Sequence, residues 1–106
     1  MRYTVILTPD DQGWISASVP AMPGCLSQGH DREEALANIR EAIAGWLEVE
    51  AEHGRGPLDE TPAVVTAGVA EALEIIDEMR QAGELPPDGG YALELVTIDV
   101  RQPAAA

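Results

Sequence analysis

The chain contains no lysine, and its six arginines are scattered along the sequence rather than gathered into a patch. Against 19 acidic residues they leave a formal net charge of -13. Affinity for nucleic acid comes largely from Lys and Arg displacing condensed counterions, so direct binding of DNA or RNA by this chain alone is disfavoured. Cysteine is almost absent too. Cys25 stands alone, which excludes an intrachain disulfide, and with only His30 and His53 for company it is thin material for a zinc site. A small buried hydrophobe is its simplest role, although a thiol beside Pro23-Gly24 in a tight turn could also be exposed and reactive. No apolar run approaches the roughly 20 residues that cross a bilayer, and no basic-then-apolar signal segment follows Met1, so the expected compartment is the cytoplasm. Catalytic signatures are missing as well: there is no Gly-rich phosphate loop, no paired metal-binding histidines and no nucleophile elbow. Ser16, Ser18 and Ser27 lack a neighbouring histidine in sequence, and the carboxylates fall where turns and helix faces put them. The expectation is a protein that is not an enzyme and needs neither cofactor nor metal.

What is present describes one ordinary domain. A chain of 106 residues, 45% of them hydrophobic, can bury roughly 65% of its unfolded surface without metal or disulfide. The expected domain covers residues 1–100, with a disordered tail over 101–106. The acidity bears on partners, since a negative surface speeds encounter with a basic protein.

Residues 2–8 are rich in β-branched and aromatic types, and Pro9-Asp10-Asp11-Gln12-Gly13 is a turn sequence leading into a second strand over 14–19. In that strand Ile15, Ala17 and Val19 share one face, and Trp14, Ser16 and Ser18 the other. Pro20 and Pro23 bracket a tight connection to a short third strand over 25–29. Asp31 is placed to cap a helix, and Glu34 three residues later completes a capping box. The helix predicted from Arg32 to about 53 carries Leu36, Ile39, Ile43, Trp46 and Leu47 in one stripe, with Gly54 as its stop. Thr61-Pro62 caps a second helix over about 63–82, whose stripe is Val65, Val69, Ala72, Leu73, Ile76 and Met79. A fourth strand is predicted over 91–100. Its apolar phase shifts at the adjacent pair Leu95 and Val96, which implies burial on both faces or a bulge. The fold class is therefore α+β: an antiparallel three-stranded meander, a long helix, a second helix, and a final strand added to the sheet.

Several short segments carry a family likeness: Tyr3-Thr4-Val5-Ile6-Leu7, Gly13-Trp14, Val19-Pro20-Ala21-Met22-Pro23-Gly24-Cys25, Ser27, Gly29, and Glu33-Glu34-Ala35-Leu36-Ala37-Asn38-Ile39-Arg40-Glu41-Ala42-Ile43. In this order and spacing, over residues 3–47, the chain resembles the HicB family of antitoxins. The resemblance implies a partial, truncated RNase H-like fold and a role in a type II toxin–antitoxin pair. It implies a partner toxin that is a small, basic, HicA-like mRNA interferase with a double-stranded-RNA-binding-like fold and a catalytic histidine. It also implies assembly as a homo-oligomer, a dimer or tetramer. A stand-alone homo-oligomeric binding or regulatory module without a toxin is the alternative reading. RNase H-type nucleases need metal-binding carboxylates on the first strands, and here 3–7 and 14–19 contain none.

Two features depart from the family pattern. Many members carry a helix-turn-helix or ribbon-helix-helix after the last strand, whereas six residues follow Val100 here, so operator binding by this chain is not expected. The second helix reads as an insertion that either covers the first helix or serves as an oligomer contact. For the partner-binding face, Trp14 and Met22 are the candidate exposed apolar anchors, with core packing as the other reading of Trp14. Asp10, Asp11, Glu33 and Glu34 are the candidate acidic contacts, with solvation and capping as the other reading.

Overall fold

The computed structural model describes residues 2–10, 12–84 and 93–100. Four strands, β1 (Arg2–Pro9), β2 (Ile15–Ser18), β3 (Leu26–Gly29) and β4 (Glu94–Asp99), form one antiparallel sheet in the order β3-β2-β1-β4. Two helices, α1 (Arg32–Glu52) and α2 (Pro62–Gln81), lie between β3 and β4 in sequence. The expected α+β order is borne out. Asp11 and the expected tail at 101–106 lie outside the described residues, as do 91–92 at the start of the predicted fourth strand.

Strand alternation decides which residues face which helix. Tyr3, Val5 and Leu7 of β1, with Ala17, Val19 and Ile98, meet Ala35, Ile39, Ile43 and Leu47 of α1 in a single buried cluster. Ile39 and Ile43 are fully buried, and each contributes about 1.5–3 kcal/mol of apolar transfer energy. Asp31 caps α1 by accepting the Glu34 N–H at 2.8 Å. The predicted box closes one residue further out than expected: Glu34 Oε1 accepts the His30 backbone N–H at 3.3 Å. The strand-to-helix connection is tight because Gly29 lies directly against the first turn of α1. A Cβ there would sit 2.3 Å from the Ala35 backbone nitrogen.

Ile6 points to the other face of the sheet, and that is where α2 packs. At Gly68 the helix comes so close that a Cβ would lie 2.8 Å from Pro20 Cγ and 3.2 Å from Ile6 Cδ1. The helix therefore rests on β1 rather than on α1. Thr61 caps it, accepting the Val64 N–H at 3.2 Å, with Pro62 in the first turn. The loop before it is pinned twice. Leu58 N–H donates to the Ala21 carbonyl at 2.7 Å, and Glu60 accepts from the Thr4 backbone N–H and, at 3.1 Å, from its hydroxyl. Pairing with β2 begins only at Ile6, so Glu60 serves a stretch of β1 that has no strand on that side.

Two expectations need correction. β4 pairs with β1 in unbroken register from Arg2↔Asp99 to Leu7↔Glu94, so there is no bulge. Ile98 is buried toward α1 while Leu95 is 50% exposed beside Ile6 on the α2 face, which explains the adjacent apolar pair without double burial. In α2, Ala72 and Ile76 are buried as predicted, but Leu73 is 52% exposed and belongs to the outer side.

Candidate protein-binding site

The β1–β2 turn, the end of β3 and the start of α1 converge on one corner of the sheet. Asp10 organises the turn. Its Oδ1 accepts the backbone N–H groups of Gln12 at 2.8 Å and Trp14 at 2.9 Å, while its own N–H donates to the Trp14 carbonyl at 2.9 Å. Gly13 supplies the positive φ of 84° that closes this turn. The Asp10 carboxylate is thus partly committed to the backbone.

Trp14 is half-buried. The register that pairs Ile15 with Gly29 brings Trp14 opposite His30 just beyond the strand ends, and the two rings stack with centroids 3.8 Å apart and planes tilted by 39°. His30 Nδ1 lies 3.0 Å from Glu34 Oε1, so the acid at the head of α1 holds the imidazole against the indole. Asp10, Trp14 and Glu34 are brought together here, with Glu33 exposed in the same first helical turn. His30 is the member of this corner that is not among the candidate contacts read from the sequence. No local pattern marks it, because placing residue 14 against residue 30 rests on the register of β2 with β3.

Met22 does not belong to this surface. It is fully buried, which corrects its assignment as an exposed anchor. Its N–H donates to the Val19 carbonyl and its carbonyl accepts from Cys25 N–H, both at 3.0 Å. This tight turn folds the side chain inward among the residues facing α1. Trp46 fastens the same segment by donating its indole N–H to the Pro23 carbonyl at 3.0 Å. Cys25 is buried too, and burial pushes its thiol above the usual cysteine range. It packs as a small hydrophobe, not as an exposed reactive sulfur.

Near this corner an ion pair joins the two ends of the fold. Arg32 Nη2 lies 2.7 Å from Glu94 Oε1, linking the start of α1 to the start of β4, and the guanidinium holds the Glu94 carboxyl below the ordinary carboxylate range. Among the described residues no three His, Cys, Asp or Glu side chains come together as metal ligands would, and no helix is long and apolar enough to cross a membrane.

A family model described as the HicB-like antitoxin of bacterial toxin–antitoxin systems matches residues 3–101, nearly the whole chain. The chain belongs to the HicB-like antitoxin family. The match runs through α2 as well as the sheet and α1. Curated relatives align over about half of this HicB-like chain. A UPF0150 protein of Thermoplasma acidophilum is 49% identical over 53 residues, which is 50% of this chain and 77% of that protein. A UPF0150 protein of Archaeoglobus fulgidus is 33% identical over 49 residues, 46% of this chain and 71% of its own. Among solved structures, the N-terminal domain of the Burkholderia pseudomallei antitoxin HicB is similar with a TM-score of 0.54 and 28% identity, over 94% of this chain and 100% of that one. A second structure, of the Burkholderia pseudomallei antitoxin HicB, matches all of this chain over 72% of its own length, with a TM-score of 0.54 and 26% identity.

Proposed function

We propose that this HicB-like chain is the antitoxin of a type II pair, holding a small, basic, HicA-like mRNA interferase so that the toxin's RNA-binding face is covered. The observation that carries the reading is the family match over residues 3–101. The charge of -13 supports it, because an acidic surface competes with RNA for a basic one and speeds the encounter. In this reading the chain masks by contact, performs no chemistry, works in the cytoplasm and acts as a homo-oligomer. The corner formed by Trp14, Asp10, Glu33 and Glu34 contributes to the contact, the half-buried indole as anchor and the carboxylates as its acidic surround.

The test is co-expression of the chain with the small basic protein encoded beside its gene. Relief of that protein's growth arrest, together with co-purification of the pair, is the expected result. Trp14→Ala should weaken capture at least about tenfold while the far-UV spectrum stays unchanged. The reading is abandoned if no basic neighbour exists, or if it is neither neutralised nor retained.

A further inference from the structure

Among the described residues the sheet face opposite α1 is only partly covered. Register places Leu26, Ser18, Ile6 and Leu95 in one row across all four strands, with Gln28, Ser16 and Thr8 in the next row of the same face. The second helix sits over Ile6, at the middle of the first row. Beside it, over β2 and β3, runs an open groove of about 1070 Å³ whose apolar wall residues include Ile6, Leu26, Leu58, Ile75 and Met79. Leu26, Leu58 and Ile75 are 68%, 51% and 49% exposed, three of the six large hydrophobics left exposed among the described residues. Burying three such side chains together is favourable, and they share one groove.

Width and charge point to one kind of occupant. Two strands spaced about 4.8 Å apart leave a strip about 10 Å across, the diameter of one α-helix. A helix laid beside α2 would complete the second helical layer. Among the described residues Asp10 and Glu71 are the only charged ones lining the groove, and neither Arg nor His is among its walls. On α2, Glu74, Asp77 and Glu78 are exposed as well. A second copy docked through this same face would set Glu71, Glu74, Asp77 and Glu78 of the two chains together, so the homo-oligomer proposed above uses another face. We infer that this groove docks an amphipathic helix of a basic protein partner, with apolar side chains entering between Leu26 and Ile75 and flanking Arg or Lys meeting Asp10 and Glu71. The inference rests on the masking function proposed above and names the surface and the element it uses.

The experiment pairs the full chain with the same co-expressed basic neighbour and measures Kd for three variants: Leu26→Ser, Ile75→Ser, and, as a control of similar size away from the groove, Val49→Ser, at a residue that is 51% exposed on α1. All three positions lie at the surface, so folding is expected to survive; thermal melts check this. A loss of at least about tenfold for Leu26→Ser and Ile75→Ser, with Val49→Ser unchanged, is the expected result. Undiminished binding by the two groove variants overturns the groove while leaving the masking function in place. If the groove variants instead dissociate oligomers of the chain alone in sedimentation, a second copy is the occupant and the inference is wrong. Failure of the unmodified chain to bind the neighbour removes the masking function, and this inference with it.

Discussion

Single residues carry the tightest constraints in this domain, and two glycines, one ending β3 and one inside α1, show how different they are. Gly29 faces the backbone of α1, and backbone cannot move aside as a flexible side chain can. Gly29→Ala should therefore cost about 1–3 kcal/mol, the usual penalty for overpacking, seen as a lower urea midpoint with an unchanged slope. Gly45, exposed inside α1 with nothing within 4 Å of its absent Cβ, should respond the opposite way. Gly45→Ala is expected to stabilise by about 0.5–1 kcal/mol through helix propensity alone. Equal or like-signed shifts for the two variants would contradict this account. At this scale the sequence is unevenly legible. Asp31 and Thr61 were legible as caps because capping is local chemistry. Met22 was not, because a loop residue between prolines reads as exposed until the turn from Val19 to Cys25 is known to fold it inward. Trp14 was legible as a candidate, while its stacking on His30 depends on a register that no local pattern states.

At the level of elements, residue content, turn residues and the period-2 and period-3.6 patterns together located all six segments to within a few residues, since each of these signals is local. What such a pattern cannot report is which layer an amphipathic helix joins. α2 has a stripe that would suit α1 or either face of the sheet, and only the small residue at 68, set against Pro20 and Ile6, marks the place where it lands. Leu95 was misread for the same reason: a second apolar position beside Val96 is explained once Ile6 and α2 occupy the far face. The two helices thus pack on separate faces of the sheet, which makes their stabilities separable. Gly68→Leu should lift α2 from β1. Backbone amides over 62–81 are expected to exchange hydrogen much faster in that variant, while amides of α1 facing Ile39 and Ile43 keep their protection. Loss of protection in both helices together would show one cooperative unit instead.

Seen whole, the described residues present one finished face and one unfinished one, under a large excess of negative charge. The α1 face is closed by a continuous cluster from Tyr3 to Ile98, whereas the α2 face leaves Leu26, Ile75 and Leu95 at the surface. Short-range apolar burial and long-range electrostatics then have distinct kinetic consequences for capture of a basic partner. The charge of -13 acts before contact and is screened over a Debye length of about 8 Å at 0.15 M salt. The apolar groove acts after contact and is nearly insensitive to salt. The association rate with the basic neighbour should therefore fall at least about tenfold between roughly 20 mM and 500 mM NaCl, while the dissociation rate changes by no more than about threefold. Stopped-flow and surface-capture kinetics separate the two. Leu26→Ser and Ile75→Ser should act on the other step, with faster dissociation and an association rate that keeps its salt dependence. If salt instead acts mainly on dissociation of the unmodified pair, the contact itself is ionic, and the acids Glu33 and Glu34 at the head of α1, rather than the groove, hold the partner.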